Sequence, residues 1–260
     1  MSEQSSQPGR ALVIVPTYNE VDSIPTVAKK LFATASQDVD LLVVDDASPD
    51  GTADAVRSLG ADHPNVHLLE RPRPMGLGTA YIAGFLWALE RDYWAVVEMD
   101  ADLSHDPADV PRLLDALKDA SLVVGSRYIE GGGILNWGRI RKALSGAGNV
   151  YARIWLGFEV RDSTSGFRAY RTDHLARLRL DTIRSEGYAF QIEMVRRMFY
   201  TGAKIREIPI VFADREAGKS KMSKRIVFEA LGLVTAWGFF DRVKGRRRHL
   251  RSQAGDSLKA

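Results

Sequence analysis

Two aspartates separated by one residue, Asp100 and Asp102, are the pair in this chain whose type and spacing best suit chemistry. They follow an apolar run at 95–97 that is typical of a buried strand in an α/β sheet. The ligand crevice of such sheets lies beyond the carboxyl ends of the strands, which lets both carboxylates converge on a divalent cation. Mg²⁺ or Mn²⁺ held by one or two carboxylates is a common way to bind a nucleotide diphosphate. The alternative is an ordinary pair of strand-end and helix-cap aspartates.

Two earlier strand ends carry polar residues that should reach the same sheet edge. They are Pro16-Thr17-Tyr18-Asn19-Glu20 and Asp45-Asp46-Ala47-Ser48-Pro49-Asp50-Gly51-Thr52. We expect Tyr18 to stack on a base, and Asp46 or Glu20 to accept hydrogen bonds from a base or ribose. Part of the second segment is also a turn and helix cap, through Ser48 or Asp50. Neither GxxxxGK[ST] nor GxGxxG follows the first strand, which argues against a P-loop enzyme or a dehydrogenase.

The elements that must position these residues alternate along the chain. Apolar, β-branched runs predict strands at 11–15, 40–44, 66–69, 95–98 and 122–125. Helical patterns lie between them at 22–35, 52–59 and 77–89, and a further helix begins at Asp106-Pro107. This succession predicts an α/β fold with a mostly parallel sheet and helices on both faces. The run at 131–133 is the one strongly flexible point in the pattern.

The composition is that of a globular protein, with 45% hydrophobic and 27% charged residues among 260. The chain has no cysteine, which excludes disulfides, thiol catalysis and thiolate metal sites and fits a reducing compartment. We expect a disordered leader at 1–9, a catalytic domain at 10–222, an amphipathic helix at 223–243 and a basic tail at 244–260. The leader lacks the apolar core of a signal peptide.

The C-terminal region joins an apolar stretch at 226–240 to a cluster of basic residues. Fifteen residues are fewer than the roughly 20 that span a bilayer. One interpretation is a buried helix with a solvated tail, and the other is a helix lying on a membrane of anionic lipids. Gly232 and Gly238 would permit close packing against another helix. No nucleic-acid-binding motif accompanies the basic tail.

Taken together, the motifs resemble the family 2 glycosyltransferases, which have a GT-A fold. The resemblance rests on the segments at 13–20 and 43–52 and on Asp100-Ala101-Asp102. Three later segments resemble the dolichyl/polyprenyl-phosphate mannosyl synthase branch: Gly125-Ser126-Arg127-Tyr128, Asp162-Ser163-Thr164-Ser165-Gly166-Phe167-Arg168 and Gly218-Lys219-Ser220-Lys221-Met222. The likeness extends from about residue 10 to residue 237, in the same order along the chain.

The resemblance implies a donor site for GDP-mannose. Its nucleoside would be held by Pro16, Tyr18, Glu20, Val44 and Asp46. The Mg²⁺ or Mn²⁺ ion and the donor diphosphate would be held by Asp100, Ala101 and Asp102, with Asp102 the main metal ligand. From a lid at 214–222, Arg215 and Lys221 would reach the donor phosphates.

The acceptor implied by the resemblance is a polyprenyl monophosphate, whose phosphate Arg127, Arg141 and Ser145 would hold. A phosphate monoester is already mostly dianionic at neutral pH, so no general base is expected. One in-line displacement would invert the anomeric centre. His105 is interpreted as a structural histidine at a helix entry, not as a base.

The resemblance further implies a protein at the cytoplasmic face of a membrane, bound peripherally or through a separate membrane-anchor protein. Three alternatives stay open. They are a polyprenyl-phosphate transferase that uses UDP-glucose or another UDP-sugar, a sugar-nucleotide pyrophosphorylase and a non-catalytic membrane-surface scaffold. The pyrophosphorylase would carry a glycine- and arginine-rich loop where this chain has Pro16-Thr17-Tyr18-Asn19-Glu20.

Overall fold

The computed structural model of the protein describes residues 9–35, 38–213 and 224–243. Its strands are β1 (Ala11–Thr17), β2 (Val39–Asp45), β3 (Val66–Glu70), β4 (Ala95–Glu98), β5 (Leu122–Ser126), β6 (Gly133–Leu135), β7 (Arg168–Arg171), β8 (Ile205–Pro209) and β9 (Val211–Ala213). Its helices are α1 (Ile24–Thr34), α2 (Thr52–Asp62), α3 (Leu77–Leu89), α4 (Val110–Leu117), α5 (Arg139–Leu156), α6 (Thr172–Leu175), α7 (Gly187–Tyr200) and α8 (Lys224–Val243).

Seven strands form one sheet in the order β3-β2-β1-β4-β7-β5-β8, and β6 pairs with β9 in a small second sheet. Every pairing in the large sheet is parallel except the two made by β7, which runs antiparallel to β4 and β5. The predicted mostly parallel α/β sheet is therefore confirmed. The helix expected at Asp106-Pro107 starts as a 3₁₀ turn at Pro107–Asp109 before α4 begins.

Side chains alternate along each inner strand and so supply two hydrophobic cores. On one face Val13, Leu41 and Val97 pack with residues of α1, α2 and α4. On the other face Leu12 and Val96 pack with residues of α3, α5 and α7. The helices thus cover both faces, and only the strand ends and their loops are left to form a site.

Helix α3 packs closely against the sheet at a glycine. Gly84 faces Ile14 of β1, and a Cβ at this position would lie 2.6 Å from Ile14 Cγ2. Any side chain here would push the helix away from the sheet. The start of α3 is thereby held near the carboxyl end of β1.

Helix α8 packs against α5 and α7. Asp241 is buried and accepts a bidentate pair from Arg196 of α7. Gly238 lets the backbone of α5 approach, since a Cβ there would lie 2.7 Å from the Trp155 carbonyl oxygen. The expected close packing is confirmed at Gly238 but not at Gly232, which is exposed with no atom within 4 Å of its Cβ position. In the part of the chain that the structure describes, no helix is both long and apolar enough to cross a membrane.

A buried carboxyl group lies at the end of β4. Glu98 pairs in register with Arg168 of β7 and accepts a 3.1 Å hydrogen bond from the Tyr170 hydroxyl. Burial raises the pKa of Glu98 to about 7, although the Arg168 charge opposes this shift. A carboxyl with a higher pKa in the folded than in the unfolded chain binds its proton preferentially in the folded state.

We predict that Glu98 makes the protein less stable as the pH rises from 4.5 to about 7. Over that interval the folded chain holds more protons than the unfolded chain, so the free energy of unfolding falls by up to about 3 kcal/mol. Glu98→Gln should remove this component. Urea denaturation across the pH range in EDTA would measure it, with the exposed Glu90→Gln as the control. A constant difference between wild type and Glu98→Gln at every pH would contradict the prediction.

Candidate active site

A cleft of about 500 Å³ opens at the sheet edge where β1, β2, β4 and β5 end. Its walls bring together residues from nine separate parts of the chain. They include Pro16, Tyr18, Glu20, Asp46, Gly76, Leu77, Asp100, Ala101, Asp102, Arg127, Trp137, Arg141, Thr164, Tyr188, Gln191 and Phe212. Most of the residues expected in a donor or acceptor site therefore line one cavity. The exceptions among the described residues are Val44 and Ser145.

Each aspartate of the acidic pair accepts a hydrogen bond from a neighbouring residue. Asp100 accepts a 3.3 Å hydrogen bond from the hydroxyl of Tyr81, which is buried in α3. Asp102 Oδ1 accepts a 2.9 Å bond from the amide of Ser104. Both carboxylates remain partly exposed to the cleft. Their orientation is thus fixed by the fold before any ligand is bound.

These two carboxylates fit a hard divalent cation. They supply oxygen ligands from one short loop, and an ion held by one or two carboxylates takes the rest of its shell from water and phosphate. Among the residues that the structure describes, no group of three or more acidic, histidine or cysteine side chains forms a metal site on its own. The donor set therefore fits Mg²⁺ or Mn²⁺ carried with a diphosphate, not a permanently held structural ion.

His105 lies beside the acidic pair but is packed as a core residue. Its ring stacks on Phe167 at 5.1 Å and meets Phe212 edge-on at 5.2 Å. Burial lowers the pKa of His105 to about 4, although Asp102 raises it. The imidazole is therefore neutral near pH 7, in keeping with the structural role expected from the sequence.

Asp45 locks the first two loops of the site together. It is buried and accepts hydrogen bonds from the Thr17 hydroxyl at 2.9 Å and from the Ser48 hydroxyl at 2.6 Å. Asp50 accepts from both the amide and the hydroxyl of Thr52 at the start of α2. The N-cap residue of α2 is Gly51, so neither Ser48 nor Asp50 occupies the expected cap position. The loops after β1 and β2 are therefore a single hydrogen-bonded unit.

Three of the site loops contain a non-glycine residue with left-handed backbone. Asn19, Ala47 and Leu103 have φ of 61°, 54° and 60° and follow β1, β2 and β4. Each such residue costs on the order of 1 kcal/mol, and such strain concentrates at functional sites. Tyr18, next to Asn19, is 42% exposed at the cleft.

Asp46 and Val44 are both expected to contact the nucleoside, and of the two only Asp46 lines the cleft. Asp46 is buried and forms an ion pair with Arg71, while its second oxygen accepts from the amide of Met75 at 3.1 Å. Val44 points into the hydrophobic core and is absent from the cleft wall. Asp46 thus shapes the wall through Arg71, and Val44 supports it from behind.

The basic part of the site is anchored by a buried ion pair. Asp162 accepts the Arg127 amide, its Nε and its Nη2 at 2.9, 2.7 and 2.7 Å. Thr164 accepts a further bond from Arg127 Nη2 at 2.9 Å. Burial by itself would raise the pKa of Asp162, but Arg127 outweighs it and holds this pKa below the ordinary value. Arg127 is therefore a fixed cation in the cleft wall.

A second buried arginine holds the loop that carries Asp162. Arg168 is fully buried and donates to the carbonyl oxygens of Ser163, Ser165 and Gln191 at 2.7, 2.7 and 2.6 Å. Its guanidinium thus ties the loop before β7 to the first turns of α7. Asp162 and Arg168 both belong to the family-like segment at 162–168, but the sequence alone predicts no role for either residue.

Arg141 and Ser145 both lie on α5 but meet different cavities. Arg141 lines the cleft and stacks on Trp137 at 3.9 Å from the ring centroid. Ser145 lines a neighbouring apolar pocket between α5, α7 and α8. Thr164 and Tyr188 line both cavities, so the pocket adjoins the cleft.

Arg215 and Lys221, expected to reach the donor phosphates, lie outside the described residues. The described chain ends before them at Ala213, whose amide donates a 3.1 Å hydrogen bond to the Ser104 carbonyl. Ser104 is the residue that holds Asp102. Ala213 therefore lies close to the loop that carries the acidic pair.

The sequence matches the family described as Glycosyl transferase family 2 over residues 12–179. It is 51% identical over 241 residues to the undecaprenyl-phosphate mannosyltransferase of Micrococcus luteus, which covers 93% of this chain and 99% of that protein. It is 45% identical over 241 residues to the polyprenol monophosphomannose synthase of Mycolicibacterium smegmatis, with 91% of each chain covered.

Solved structures with a similar fold include the glucosyl-3-phosphoglycerate synthase of Mycobacterium tuberculosis. Its complex with Mn²⁺, UDP-glucose and phosphoglyceric acid matches with a TM-score of 0.67 at 19% identity, covering 88% of this chain and 80% of that chain. Its complex with Mg²⁺ and UDP matches with a TM-score of 0.64 at 20% identity over the same shares. At this identity the likeness shows the fold alone, which is the expected GT-A fold.

We predict that Asp162→Asn lowers the free energy of unfolding by about 3 kcal/mol, because it leaves Arg127 as a buried and uncompensated charge. The matched control is Asp173→Asn, which breaks the exposed Arg171–Asp173 pair and should cost less than about 1 kcal/mol. Urea denaturation of both variants at pH 7 measures the difference. Equal losses in the two variants would mean that the buried pair does not hold the loop.

Proposed function

The chain belongs to glycosyl transferase family 2, in the branch of the polyprenyl-phosphate mannosyl synthases, and within it we propose that it transfers mannose from GDP-mannose to a polyprenyl monophosphate. The reaction is metal-dependent and inverts the anomeric centre. Its product is a lipid-linked mannose donor for glycan or glycoprotein synthesis. The names of the two close relatives support the acceptor and the sugar.

The observation that carries this proposal is the composition of one cleft. Asp100 and Asp102 line the same cavity as the buried Arg127 and as Arg141. A diphosphate leaving group needs a cation held by carboxylates, whereas a phosphate acceptor needs arginines. Both kinds of group in one cavity suit transfer from a nucleoside diphosphate to a phosphate.

On the donor side, Tyr18 and Glu20 offer a ring and a carboxylate for the nucleoside, in a wall that Asp46 braces through Arg71. Asp102 and Asp100 would hold the Mg²⁺ or Mn²⁺ ion, which neutralises the negative charge that grows on the departing diphosphate. Arg215 and Lys221 are proposed to add positive charge there. Because the carboxylates are already oriented, little reorganisation accompanies the reaction.

On the acceptor side, Arg127 and Arg141 would bind the phosphate and orient one of its oxygens toward the anomeric carbon. The dianionic phosphate is itself the nucleophile, so no side chain has to remove a proton. The neutral, tightly packed His105 is consistent with this. Ser145 would contact the phosphate from the apolar pocket, whose lining of Tyr151, Ile192, Leu231 and Val234 suits the first prenyl units.

The membrane surface is the proposed location of the lipid acceptor. Helix α5 exposes four apolar side chains, and the end of α8 exposes three: Ile140, Leu144, Val150, Ile154, Phe239, Phe240 and Val243. Basic residues flank them on both helices at Arg139, Lys142, Arg153 and Arg242. An apolar face bordered by cations suits an anionic bilayer surface. We propose that this surface is cytoplasmic, with binding either direct or through a separate membrane-anchor protein.

We predict that the protein transfers label from GDP-[¹⁴C]mannose, but not from UDP-[¹⁴C]glucose, to a polyprenyl phosphate, as measured by radioactivity in the lipid extract. The Asp102→Asn variant should lose at least about 100-fold in kcat, since the ion would lose its main ligand.

The control for Asp102→Asn is Asp106→Asn. Asp106 is exposed and caps the next turn through a 3.2 Å bond from the Ala108 amide, so only a small loss of stability is expected. Turnover with UDP-glucose and not GDP-mannose would overturn the choice of donor. Full activity in Asp102→Asn would overturn the metal site.

We predict that Ile154→Glu weakens binding to vesicles of phosphatidylglycerol and phosphatidylcholine about tenfold or more, because it puts a charge into the proposed membrane face. Ile154 is 64% exposed, so folding should be unaffected. Leu86→Glu changes a 48% exposed leucine on α3 and serves as the control. Cosedimentation measures both. Equal binding by the two variants would place the membrane contact elsewhere.

A further inference from the structure

Trp137 lies beside both of the arginines that the proposed reaction assigns to the acceptor phosphate. Its side chain is 7% exposed and lines the cleft. The guanidinium carbon of Arg141 is 3.9 Å from the centroid of the Trp137 ring, and that of Arg127 is 5.6 Å from it. Both distances are within the range of cation–π attraction. One indole ring therefore contacts both cations of the acceptor side.

The fold fixes the position of this ring. Trp137 comes between β6 and α5, just before the N-cap residue Gly138. Strand β6 pairs with β9, which places Ile134 opposite Phe212. The Phe212 ring then meets Trp137 edge-on, with the two centroids 5.5 Å apart. The small sheet and the start of α5 together hold the indole at the cleft wall.

The two arginines are held by different kinds of contact. Arg127 donates to both carboxylate oxygens of the buried Asp162 at 2.7 Å. Arg141, in the first turn of α5, lies over the face of Trp137. An aromatic ring attracts a cation through its quadrupole but carries no net charge, so it holds a guanidinium without neutralising it. A phosphate meets the in-plane N–H groups of an arginine, which a ring on its face does not use.

We propose that Trp137 is a positioning residue for the acceptor: its cation–π contact holds Arg141 at a fixed spacing from Arg127, so that both guanidinium groups meet one phosphate. This inference rests on the proposed function, because it takes the two arginines to bind the acceptor phosphate. Two cations brought close together repel each other, and the electron-rich ring beside them opposes that repulsion. Trp137 thus acts through the arginines and not on the reacting atoms.

The test lowers the electron density of the ring while almost preserving its shape. Tryptophan with one to four fluorine atoms is inserted at position 137 by amber suppression, and kinetics are measured with GDP-mannose and undecaprenyl phosphate in detergent. Each fluorine weakens the attraction for a cation, so the KM for undecaprenyl phosphate should rise stepwise, by about 5- to 30-fold in total. The kcat and the KM for GDP-mannose should change less than about twofold, because the contact acts on acceptor binding. Trp137→Phe, which keeps a smaller ring, should lie between the wild type and Trp137→Leu.

Trp87 provides the matched control. The guanidinium carbon of Arg91 is also 3.9 Å from the centroid of the Trp87 ring, but Trp87 lies on α3 and does not line the cleft. The same fluorinated tryptophans at position 87 should leave the KM for undecaprenyl phosphate unchanged, and urea denaturation checks that every variant is folded. An acceptor KM that is independent of fluorination at position 137, or that rises equally at position 87, would overturn the inference. A rise in the KM for GDP-mannose alone would overturn it too.

A failure of the proposed function gives a different result. If the wild type uses another sugar nucleotide, that donor replaces GDP-mannose in the same series, and the KM for undecaprenyl phosphate still decides the role of Trp137. If the wild type transfers sugar only to acceptors without a phosphate group, or does not bind undecaprenyl phosphate, the inference is wrong as well. An active wild type with no response to fluorination refutes the role of Trp137 and leaves the proposed function intact.

Discussion

The site depends on the three hydrogen bonds that the buried guanidinium of Arg168 donates to backbone carbonyl groups. Strand β7 lies in the middle of the sheet and is antiparallel to both of its neighbours, β4 and β5. Its first residue, Arg168, therefore lies at the edge where the parallel strands end. From there Arg168 binds backbone carbonyls on the loop before β7 and on α7. Moving these carbonyl groups away would leave a buried charge without hydrogen-bond partners, which costs free energy, so the guanidinium fixes their positions. Asp162, on the first of the two segments so held, then fixes Arg127 in the cleft wall.

The fold places negative and positive side chains in different parts of the same cleft. The carboxylates of Asp100 and Asp102 are held by Tyr81 and Ser104 on the parallel part of the sheet. Arg127 is held by Asp162 beside the antiparallel strand. Each of these groups is oriented by its hydrogen-bond partners. The carboxylates would hold the cation of the donor diphosphate, and Arg127 would hold the acceptor phosphate. The cation and Arg127 would thereby reduce the electrostatic repulsion between the donor diphosphate and the acceptor phosphate.

The first half of the chain could be predicted well, because each of its strands is a local apolar run followed by polar residues. That pattern located the loops at 16–20 and 45–52 and the acidic pair. Between 126 and 222 the pattern predicts no elements. Strand β7, for example, contains two arginines in four residues and pairs only with strands distant in sequence. The role of Asp162 could not be found in the sequence either, because it depends on the pairing with Arg127, 35 residues away, that only the fold reveals.

Val44, expected to contact the nucleoside, lies apart from the cleft wall for a physical reason. Val44 lies on the core face of β2, since side chains alternate along a strand and Asp45 takes the hydrogen-bonding position next to it. Asp46 does line the cleft, and it is also paired with Arg71, a contact between residues that spacing alone does not connect. The domain boundaries and the actions of Arg215 and Lys221 remain proposals.

The central claim is that donor and acceptor phosphates are held in one cleft and joined by a single displacement at the anomeric carbon. The most direct measurement is the anomeric configuration of the lipid-linked mannose made from GDP-α-mannose, read from the one-bond carbon–hydrogen coupling at C1 by NMR. A β-linked product is expected. An α-linked product would contradict the single in-line displacement.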